Sequence, residues 1–364
     1  MTQRAPAEMV PLAPFTTLGL GGPARYLLAV RSAPALASAL GWAEDRHLPV
    51  QVLGGGSNTI FADAGFAGLV VRMARRGFTF RPAGDAVLAV VQAGTEWDDF
   101  VRAAVERGLQ GVECLSGIPG SAGATPVQNV GAYGQEVAQT LQWLRAYDRR
   151  LGRIVRIDGA ECHFGYRTSR FKAGPDRGRF VILGIALRLV PGGAPELGYR
   201  EVAERAAAKG VAGMGPTQAL GAVRDIVLAL RRGKSMLRDP EDPDARSVGS
   251  FFLNPVLDRR GVERLRLRLG ERAAALPLFP DPGGGGKVSA AWLIEAAGFR
   301  RGDRKGGVGI SQRHTLALVN RAGTAQELLA FADEIRTRVA ERFGVRLEAE
   351  PVVVPAQGSE APPW

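Results

Sequence analysis

The sequence predicts an α+β protein of two or three domains. Its 364 residues exceed the usual size of a single domain, and 46% of them are hydrophobic, which is enough for more than one buried core. Helical periodicities and strand-like runs both recur, and strands at Leu141–Asp148, Arg153–Ile157 and Arg179–Val190 indicate a β-rich second unit. The uncharged, glycine-rich stretch Cys114–Gln135 follows neither periodicity, and we expect the functional site to form around it.

The N-terminal region is predicted to contain a strand, a helix and a second strand. Ala24–Val30 has strand character, and a helix from Ser32 to about His47 begins with a serine cap and a proline in its first turn. The apolar strand Val50–Leu53 runs directly into the turn Gly54–Asn58, G-G-G-S-N. A strand that ends in glycines can direct backbone N–H groups at a phosphate, although an ordinary tight turn has the same pattern.

The segment from Val87 to Gly108 is predicted to contain a strand and an amphipathic helix. Val87–Gln92 has strand character, and Thr95 and Asp98 have the spacing of a capping box at the start of a helix that Gly108 ends. The apolar side chains of this helix share one face, which we expect in the core: Trp97, Phe100, Val101, Ala104 and Val105.

Three more helices are predicted toward the C-terminus. The first begins near Thr217 and ends in the basic sequence R-R-G-K. Ser289 caps the second, which continues to Ala297. Thr324 and Glu327 form a capping box at the start of the third, which is long and amphipathic.

Four further segments complete the expected organisation. Residues 1–14 are rich in proline and alanine and are expected to form a loose arm. Residues 276–287 are rich in proline and glycine and are expected to form a mobile loop. A last strand is expected over Arg346–Val354, and the tail Pro355–Trp364 is expected to be disordered.

The composition favours an anionic small-molecule partner in a reducing compartment. The net charge is +11, from 47 basic and 36 acidic residues, but the basic residues are scattered along the chain. We therefore expect nucleotides or sugar phosphates as partners and not nucleic acid. Cys114 and Cys162 form no C-x-x-C pair, and neither a signal peptide nor an apolar run of membrane-spanning length occurs, so we expect a cytoplasmic protein without membrane contact.

Several common catalytic and binding motifs are missing from the sequence. The three histidines, His47, His163 and His314, are far apart, and no Cys/His pattern has zinc spacing, so we expect no metal site. The sequence contains neither a P-loop nor a G-x-G-x-x-G that opens a helix, and it contains no G-x-S-x-G elbow.

The glycine-rich stretch has the composition of a cofactor site lined by backbone. Its polar side chains can form hydrogen bonds but carry no fixed charge: Ser116, Ser121, Thr125, Gln128, Asn129 and Tyr133. Glycine allows left-handed turns and a close approach of the backbone to a ligand, so a large cofactor held through N–H and C=O groups is the favoured interpretation. The alternative is a long glycine-rich surface loop.

Four polar residues outside this stretch are candidates for chemistry. Arg167 is either an ordinary surface cation or a fixed donor for a carboxylate or enolate oxygen. Ser250 lies between Gly249 and two phenylalanines, where it is either a turn serine or a partly desolvated hydroxyl. Glu348 and Glu350 are two residues apart on the last predicted strand, so both project from one face.

Four motifs in this order identify a family that the chain resembles. They are the glycine-rich stretch, Y-R-T-S-x-F-K at Tyr166–Lys172, G-S-F-F-x-N-P at Gly249–Pro255 and L-E-x-E at Leu347–Glu350. With them the chain, over about 11–354, resembles the UDP-N-acetylenolpyruvoylglucosamine reductases, also called UDP-N-acetylmuramate dehydrogenases. Tyr199 lies where the longer form of this family has a tyrosine between its second and third domains.

The resemblance implies an FAD-binding fold of the vanillyl-alcohol-oxidase/PCMH type, followed by a C-terminal α+β substrate-binding domain. The FAD-binding part would consist of two α+β subdomains, 1–77 and 78–213, and the substrate-binding domain would span 214–354. The strand over 345–354 is a candidate to return to the first subdomain, and 355–364 would form the tail.

The resemblance also implies that FAD is held by the turn Gly54–Asn58 and by the glycine-rich stretch. The residues at the matching positions are Gly54, Gly55, Gly56, Ser57, Asn58, Ser116, Gly117, Pro119, Gly120, Gly123, Ala124, Thr125, Gln128, Asn129, Gly131, Ala132 and Tyr133. NADPH would be the second cofactor, and the substrate would be a UDP-sugar.

In the reaction that the resemblance implies, a hydride from NADPH would pass through FAD to the enolpyruvyl methylene carbon of the UDP-sugar, in peptidoglycan precursor synthesis. Arg167 and Glu350 match the pair that stabilises the resulting enolate, and Ser250 matches the proton donor. Tyr199, Lys234 and Asn254 match the family's positions that bind the diphosphate and the carboxylate of the substrate. A glutamate stabilises a developing negative charge only when it is protonated and donates a hydrogen bond. We therefore predict a raised pKa for Glu350.

Two alternatives are kept beside this interpretation. Glu348 competes with Glu350 for the catalytic role, because Pro351 and Val352 follow where the family commonly has Val-Arg. The function could also be that of an FAD-dependent oxidase of the same fold acting on another alcohol, or of a basic nucleotide-binding module without catalysis. We expect a monomer.

Overall fold

The structure, a computed structural model, describes residues 5–281 and 283–356 of the chain. These residues form two compact units, each built from segments that are distant in sequence. Unit 1 comprises 5–10, 24–56 and 67–237, and unit 2 comprises 11–23, 57–66, 238–281 and 283–356.

The described residues contain both helices and strands, and most neighbouring strands are antiparallel. The α-helices are α1 (Ala33–Glu44), α2 (Trp97–Val105), α3 (Arg200–Ala208), α4 (Pro216–Gly233), α5 (Arg259–Leu269), α6 (Ala290–Ala296) and α7 (Ala325–Phe343). The strands are β1 (Ala7–Pro11), β2 (Pro23–Val30), β3 (Val50–Leu53), β4 (Thr59–Phe61), β5 (Phe66–Met73), β6 (Phe78–Ala83), β7 (Ala86–Gln92), β8 (Leu109–Gln110), β9 (Gly131–Ala132), β10 (Gln135–Glu136), β11 (Leu141–Asp148), β12 (Arg153–Asp158), β13 (Phe180–Pro191), β14 (Ser247–Ser250), β15 (Val256–Leu257), β16 (Leu278–Pro280), β17 (Gly286–Val288), β18 (Arg304–Lys305), β19 (Val308–Ile310), β20 (Ala317–Asn320) and β21 (Val352–Val354). The predicted α+β class is confirmed.

Unit 1 contains two main sheets. The larger has the order β12-β11-β13-β7-β6, with β8 also paired to β13, and its neighbouring strands are antiparallel. The smaller has the order β1-β2-β5-β3, in which β3 and β5 are parallel. The strands predicted before residue 191 all occur, with bounds that agree within one residue.

Helix α2 packs its predicted apolar face into the core of unit 1. Its five predicted core residues are all buried, and Trp97 and Phe100 are fully so. Burying each of these large side chains contributes about 1.5–3 kcal/mol, which fixes the helix against the larger sheet. Trp97 also binds the glycine-rich stretch, because its indole N–H donates to the Leu115 carbonyl at 3.2 Å and its backbone N–H donates to the Gly120 carbonyl at 2.9 Å. The core thereby positions the candidate site.

The capping box predicted for this helix is wrong. The N-cap residue is Glu96, without a side-chain cap, and Thr95 Oγ1 instead makes two 3.1 Å hydrogen bonds to the backbone of Gly77. Asp98 accepts hydrogen bonds from the Gly117 N–H at 2.6 Å and from both terminal nitrogens of Arg224. Tertiary partners therefore outcompete the local cap.

Unit 2 is built around the last two helices and the segment that contains Phe251 and Phe252. Its sheets have the orders β14-β20-β19-β18 and β15-β17-β16, and β21 pairs in parallel with β4. Both predicted caps occur, because the Ser289 hydroxyl accepts the N–H of Trp292 and Thr324 forms the full capping box with Glu327. Phe251 and Phe252 are fully buried in the core of this unit.

Three of the expected segments differ in the structure. Part of the expected arm is strand β1, which pairs with β2, and the expected loop 276–287 contains β16 and β17, which form an antiparallel pair. The last strand is regular only over Val352–Val354, although Ala349 forms an isolated bridge with Phe252. Strand pairing depends on a partner that composition does not reveal, and proline is compatible with an edge strand.

The division into three domains at 1–77, 78–213 and 214–354 stays a prediction. The structure divides into two units, whose boundaries differ from those of the three predicted domains. Of the predicted tail, Pro355 and Ala356 have no regular structure, and 357–364 lie outside the described residues.

Asp148 anchors the turn between β11 and β12, and we expect it to make unit 1 sensitive to acid. The buried carboxylate accepts hydrogen bonds from Arg179 and from the N–H groups of Arg150 and Leu151. The Arg179 hydrogen bond outweighs the opposing effect of burial and lowers the pKa of Asp148 to about 2. A carboxyl group whose pKa is lowered by folding stabilises the fold above its unfolded pKa of about 3.9, and this stability is lost as the pH falls toward 2.

The Asp148→Asn variant should therefore be less stable than the wild type near neutral pH, and its stability should depend less on pH between about 5 and 2. Urea unfolding over this pH range measures both effects. The control is Asp85→Asn, which removes an exposed carboxylate paired with Arg188 and should change neither property measurably. Equal pH dependence of Asp148→Asn and the wild type would contradict the assignment.

Candidate active site

The two glycine motifs predicted to bind FAD lie against each other in unit 1. A Cβ atom on Gly55 would lie 2.5 Å from the Cα of Gly120, and one on Gly54 would lie 2.6 Å from Ser121 Oγ. The contact at Gly55 is with backbone, so any larger residue there would force the two backbones apart. We call the turn Gly54–Gly56 and the glycine-rich stretch together the glycine cradle.

A cavity of about 440 Å³ opens beside the glycine cradle. Gly54, Gly55 and Ser121 line it, and its charged lining residues are Arg31, Arg72, Arg75, Arg76 and Glu96. Four arginines against one glutamate favour phosphate groups. Ser121 Oγ is buried and has no hydrogen-bond partner among residues 5–281 and 283–356. Because buried hydroxyls are normally paired, this one fits a ligand contact, and the whole lining fits a dinucleotide such as FAD.

Three polar side chains of the glycine-rich stretch bind to the chain itself. The hydroxyls of Ser116 and Thr125 donate to backbone carbonyls three residues earlier, at 2.6 Å and 2.8 Å. Asn129 donates to the Glu136 carboxylate at 2.8 Å and accepts the N–H of Ala138 at 3.0 Å. These side chains shape the stretch, so any contact with FAD, which stays a prediction, would come mainly from their backbone groups.

Arg167 lies against the C-terminal end of the glycine-rich stretch. Its Nη2 donates to the Gly131 carbonyl at 2.5 Å. Its φ is +54°, in the left-handed region, where a non-glycine residue costs about 1–3 kcal/mol. Such strain persists only where the surrounding structure holds it, and it concentrates at functional sites. The strain supports a role for Arg167 in the site.

Tyr133, Tyr199, Lys234 and Glu201 form what we call the tyrosine–lysine cluster of unit 1. The two tyrosine rings meet edge to face with centroids 5.3 Å apart. Lys234 Nζ lies 5.5 Å from the Tyr133 ring centroid and 2.8 Å from Glu201 Oε2. Burial lowers the pKa of Lys234, but the Glu201 hydrogen bond and nearby negative charge outweigh it, so the pKa is raised. The cluster therefore holds a protonated ammonium that suits an anionic ligand.

In unit 2, the segments of Ser250 and Glu350 run side by side. The N–H of Glu350 donates to the Phe251 carbonyl at 2.8 Å, and the N–H of Leu253 donates to the Glu348 carbonyl at 2.9 Å. Ser250 and Glu350 are both half-buried, whereas Glu348 is exposed. Residues far apart in sequence are thereby neighbours, and the difference in exposure favours Glu350 over Glu348 as the functional carboxyl. The raised pKa expected for Glu350 stays a prediction.

Two predicted asparagines have structural hydrogen bonds in unit 2. Asn254 Oδ1 accepts the N–H of Ala290 at 2.9 Å, at the start of α6. A role of Asn254 in substrate binding would therefore fall to its side-chain nitrogen. Asn58 Nδ2 donates to the Glu350 carbonyl at 3.2 Å, which joins two distant segments of unit 2.

The arginines around the cavity were not predicted from the sequence, and Ser121 was noted only as a polar side chain. No local pattern separates Arg31 or Arg75 from the many other arginines of the chain. They meet because β2 and β5 are neighbours in one sheet, and the N–H of Ala74 donates to the Val30 carbonyl where both strands end. Only strand pairing could have identified them.

The described part of the chain contains neither a membrane-spanning helix nor a metal-binding cluster. None of the helices in 5–281 and 283–356 has both the length and the apolar character needed to cross a membrane. Within the same residues, no group of three or more His, Cys, Asp and Glu side chains could share a metal ion.

Two protein-family models match the chain. Residues 24–158 match a model described as an FAD binding domain. Residues 240–354 match the C-terminal domain of UDP-N-acetylenolpyruvoylglucosamine reductase.

Individual relatives match over nearly the whole chain. The UDP-N-acetylenolpyruvoylglucosamine reductase of Thermobifida fusca is 47% identical over 354 residues, which are 96% of this chain and 98% of the relative. The reductase of the same name from Salinispora arenicola is 48% identical over 351 residues, 94% of each chain. The crystal structure of UDP-N-acetylenolpyruvylglucosamine reductase from Thermus caldophilus superposes with a TM-score of 0.65 at 26% identity and covers 97% of this chain and 99% of that one.

Proposed function

Because the chain belongs to the UDP-N-acetylenolpyruvoylglucosamine reductase family, we propose that it reduces the enolpyruvyl ether of UDP-N-acetylglucosamine-enolpyruvate to UDP-N-acetylmuramate, with NADPH as the hydride source. The enzyme is an FAD-dependent oxidoreductase of peptidoglycan precursor synthesis. The observation that carries this conclusion is the 47% identity to a reductase over 96% of the chain. The glycine cradle and its cavity supply independent physical support, because their lining suits a dinucleotide.

The glycine cradle and the arginine-lined cavity are proposed to hold FAD. FAD bound there would supply the chemistry of hydride transfer between NADPH and the methylene carbon of the enolpyruvyl group. Backbone N–H groups from Gly54–Gly56 and from the glycine-rich stretch would bind the diphosphate. Ser121 Oγ would gain a hydrogen-bond partner, which none of the described residues provides. The nearby arginines would balance the phosphate charge.

Arg167, Ser250 and Glu350 are proposed to stabilise the negative charge that develops on the substrate and to supply the proton that the reaction needs. Hydride addition places negative charge on the substrate carboxylate as an enolate, and a permanently charged guanidinium stabilises that charge. The Ser250 hydroxyl would then donate a proton to the enolate carbon, which is a strong base. Glu350 would help as a hydrogen-bond donor in its protonated form.

The tyrosine–lysine cluster is proposed to bind the diphosphate of the UDP-sugar. The contact with Glu201 keeps Lys234 protonated, and the ring of Tyr133 limits where its ammonium group can point. Tyr199 is partly exposed, so its hydroxyl can reach a ligand. The side-chain nitrogen of Asn254 is proposed as a further donor to the substrate.

We also propose that the enzyme acts as a monomer in the cytoplasm. Cys114 and Cys162 are buried free thiols, which is typical of proteins in a reducing compartment. Light scattering coupled to size-exclusion chromatography would measure the oligomeric state, and a stable dimer would contradict this proposal.

Anaerobic stopped-flow absorbance is the direct test of the proposed reaction. We expect a yellow protein whose flavin absorbance is bleached by NADPH and restored rapidly by the enolpyruvyl UDP-sugar alone. Bleaching by an alcohol in place of NADPH would favour an oxidase of the same fold. A protein that binds no flavin would contradict the proposal and favour a nucleotide-binding module.

A further inference from the structure

Glu113 is a fully buried carboxyl group for which the proposed reaction has no use. Its side chain is 0% exposed, and each oxygen accepts one backbone N–H. Oε2 accepts the N–H of Gly111 at 2.8 Å, and Oε1 accepts the N–H of Glu196 at 2.9 Å. A buried backbone N–H that loses its acceptor is costly, so Glu113 constrains the backbone groups that it binds.

The hydrogen bond from Glu196 to Glu113 constrains the segment Pro195–Tyr199. Glu113 holds the N–H of Glu196, and the neighbouring residue Cys114 directs its thiol at the Glu196 carbonyl, with a sulfur–oxygen distance of 3.5 Å. Both backbone groups of Glu196 are therefore fixed by two consecutive residues, Cys114 at the start of the glycine-rich stretch and Glu113 immediately before it. The segment has no regular structure of its own before α3 begins, so these contacts set its path.

The path of this segment determines where Tyr199 lies. The Glu196 side chain accepts the N–H of Gly198 at 2.6 Å, which turns the chain immediately before Tyr199. Tyr199 then precedes the first residue of α3 and packs edge to face on Tyr133. Gln135 fixes the backbone at Cys114, next to Glu113, because its Oε1 accepts the N–H of Cys114 at 2.7 Å. Glu113 therefore acts on Tyr199 through backbone and not by contact.

We propose that Glu113 is a positioning residue that joins the cofactor-binding stretch to the substrate-binding tyrosine and so fixes the geometry of the tyrosine–lysine cluster. This inference rests on the proposed function, because it assumes that Tyr199 contacts the UDP-sugar. A carboxyl group suits the task because both of its oxygens accept. A glutamine at this position would keep one acceptor and turn an N–H₂ group toward the second backbone donor.

Steady-state kinetics with single and double variants test the inference. Glu113→Ala should raise KM for the enolpyruvyl UDP-sugar about tenfold or more, because misplacement of a binding group by about 1 Å can cost two orders of magnitude. FAD content and the rate of bleaching by NADPH should stay near the wild-type values. Glu113→Gln should lie between the wild type and Glu113→Ala, and it serves as the test variant where Glu113→Ala does not fold.

The double variant separates positioning from a general loss of stability. In a Tyr199→Ala background, replacing Glu113 should change KM by less than about twofold, because the residue that it positions is gone. Full additivity of the two effects would overturn the inference. The matched control is Asp148→Asn, which alters another buried carboxyl group that accepts two backbone N–H groups in unit 1, and this variant should lose stability without a change in KM.

Two further outcomes distinguish the inference from the function on which it rests. A wild-type protein that does not oxidise NADPH with the enolpyruvyl UDP-sugar would overturn the proposed function and the inference with it. A wild-type protein that catalyses the reaction, with KM unchanged in both Glu113 variants, would overturn the inference alone.

Discussion

Replacing Ser250 with alanine should leave flavin bleaching by NADPH unchanged and slow the return of colour with the enolpyruvyl UDP-sugar by about two to four orders of magnitude. A positioned general acid contributes about 10²–10⁴-fold to such a step, and alanine removes the only proton that this side chain can donate. Anaerobic stopped-flow absorbance measures the two half-reactions separately. The expected asymmetry between them assigns Ser250 to the step that consumes the substrate.

A matched serine variant controls for the effect of the substitution itself. Ser38 lies on the exposed side of α1, where its hydroxyl donates to the Pro34 carbonyl at 3.0 Å. Ser38→Ala should leave both half-reactions at the wild-type rates. If Ser250→Ala recolours as fast as the wild type, another group supplies the proton and the assignment of Ser250 is wrong.

Replacing Gly55 with alanine should yield a protein that retains little FAD after purification. A Cβ atom there would lie 2.5 Å from the Cα of Gly120 and 2.8 Å from its carbonyl carbon. These are backbone atoms, so no side-chain rotation relieves the contact and the two glycine motifs must separate. Overpacking of this kind costs about 1–3 kcal/mol, which corresponds to an affinity for FAD lower by a factor between about 5 and about 150.

Gly41→Ala is the control for this prediction. Gly41 lies inside α1, and a Cβ atom there would meet no heavy atom within 4 Å. Alanine should therefore stabilise the helix by about 0.5–1 kcal/mol without affecting FAD binding. Titration of the apoprotein with FAD, followed by flavin fluorescence, gives both affinities. Wild-type affinity in Gly55→Ala would show that contact between the glycine motifs is not needed for cofactor binding.

The elements that were predicted correctly have strong local signals. Ser32, Ser289 and Thr324 cap helices as predicted, since each hydroxyl accepts an N–H three residues later in its own helix. The apolar face of α2 is buried as predicted, because a helical period fixes which side chains lie together. In each case the interaction joins residues only a few positions apart.

The predictions that failed concern residues with competing long-range partners. Thr95 and Asp98 have the spacing of a capping box, yet they bind Gly77, Gly117 and Arg224. Proline and glycine in 276–287 suggested a loop, yet β17 pairs there with the distant strand β15 as well as with β16. Hydrogen bonds to distant partners satisfy the same groups as local caps and turns, and their formation depends on the packing of the whole unit.

The sequence by itself determined the fold class, the helix caps, the core face of α2 and the resemblance that led to the FAD-dependent reductases. Only the tertiary structure decided that Gly55 contacts Gly120, that arginines after two neighbouring strands surround one cavity, and that Glu113 holds the segment before Tyr199. The physical reason is the separation in sequence between the residues that interact. Periodicity and caps act within a few residues, whereas these contacts exist only after close packing has brought distant segments together.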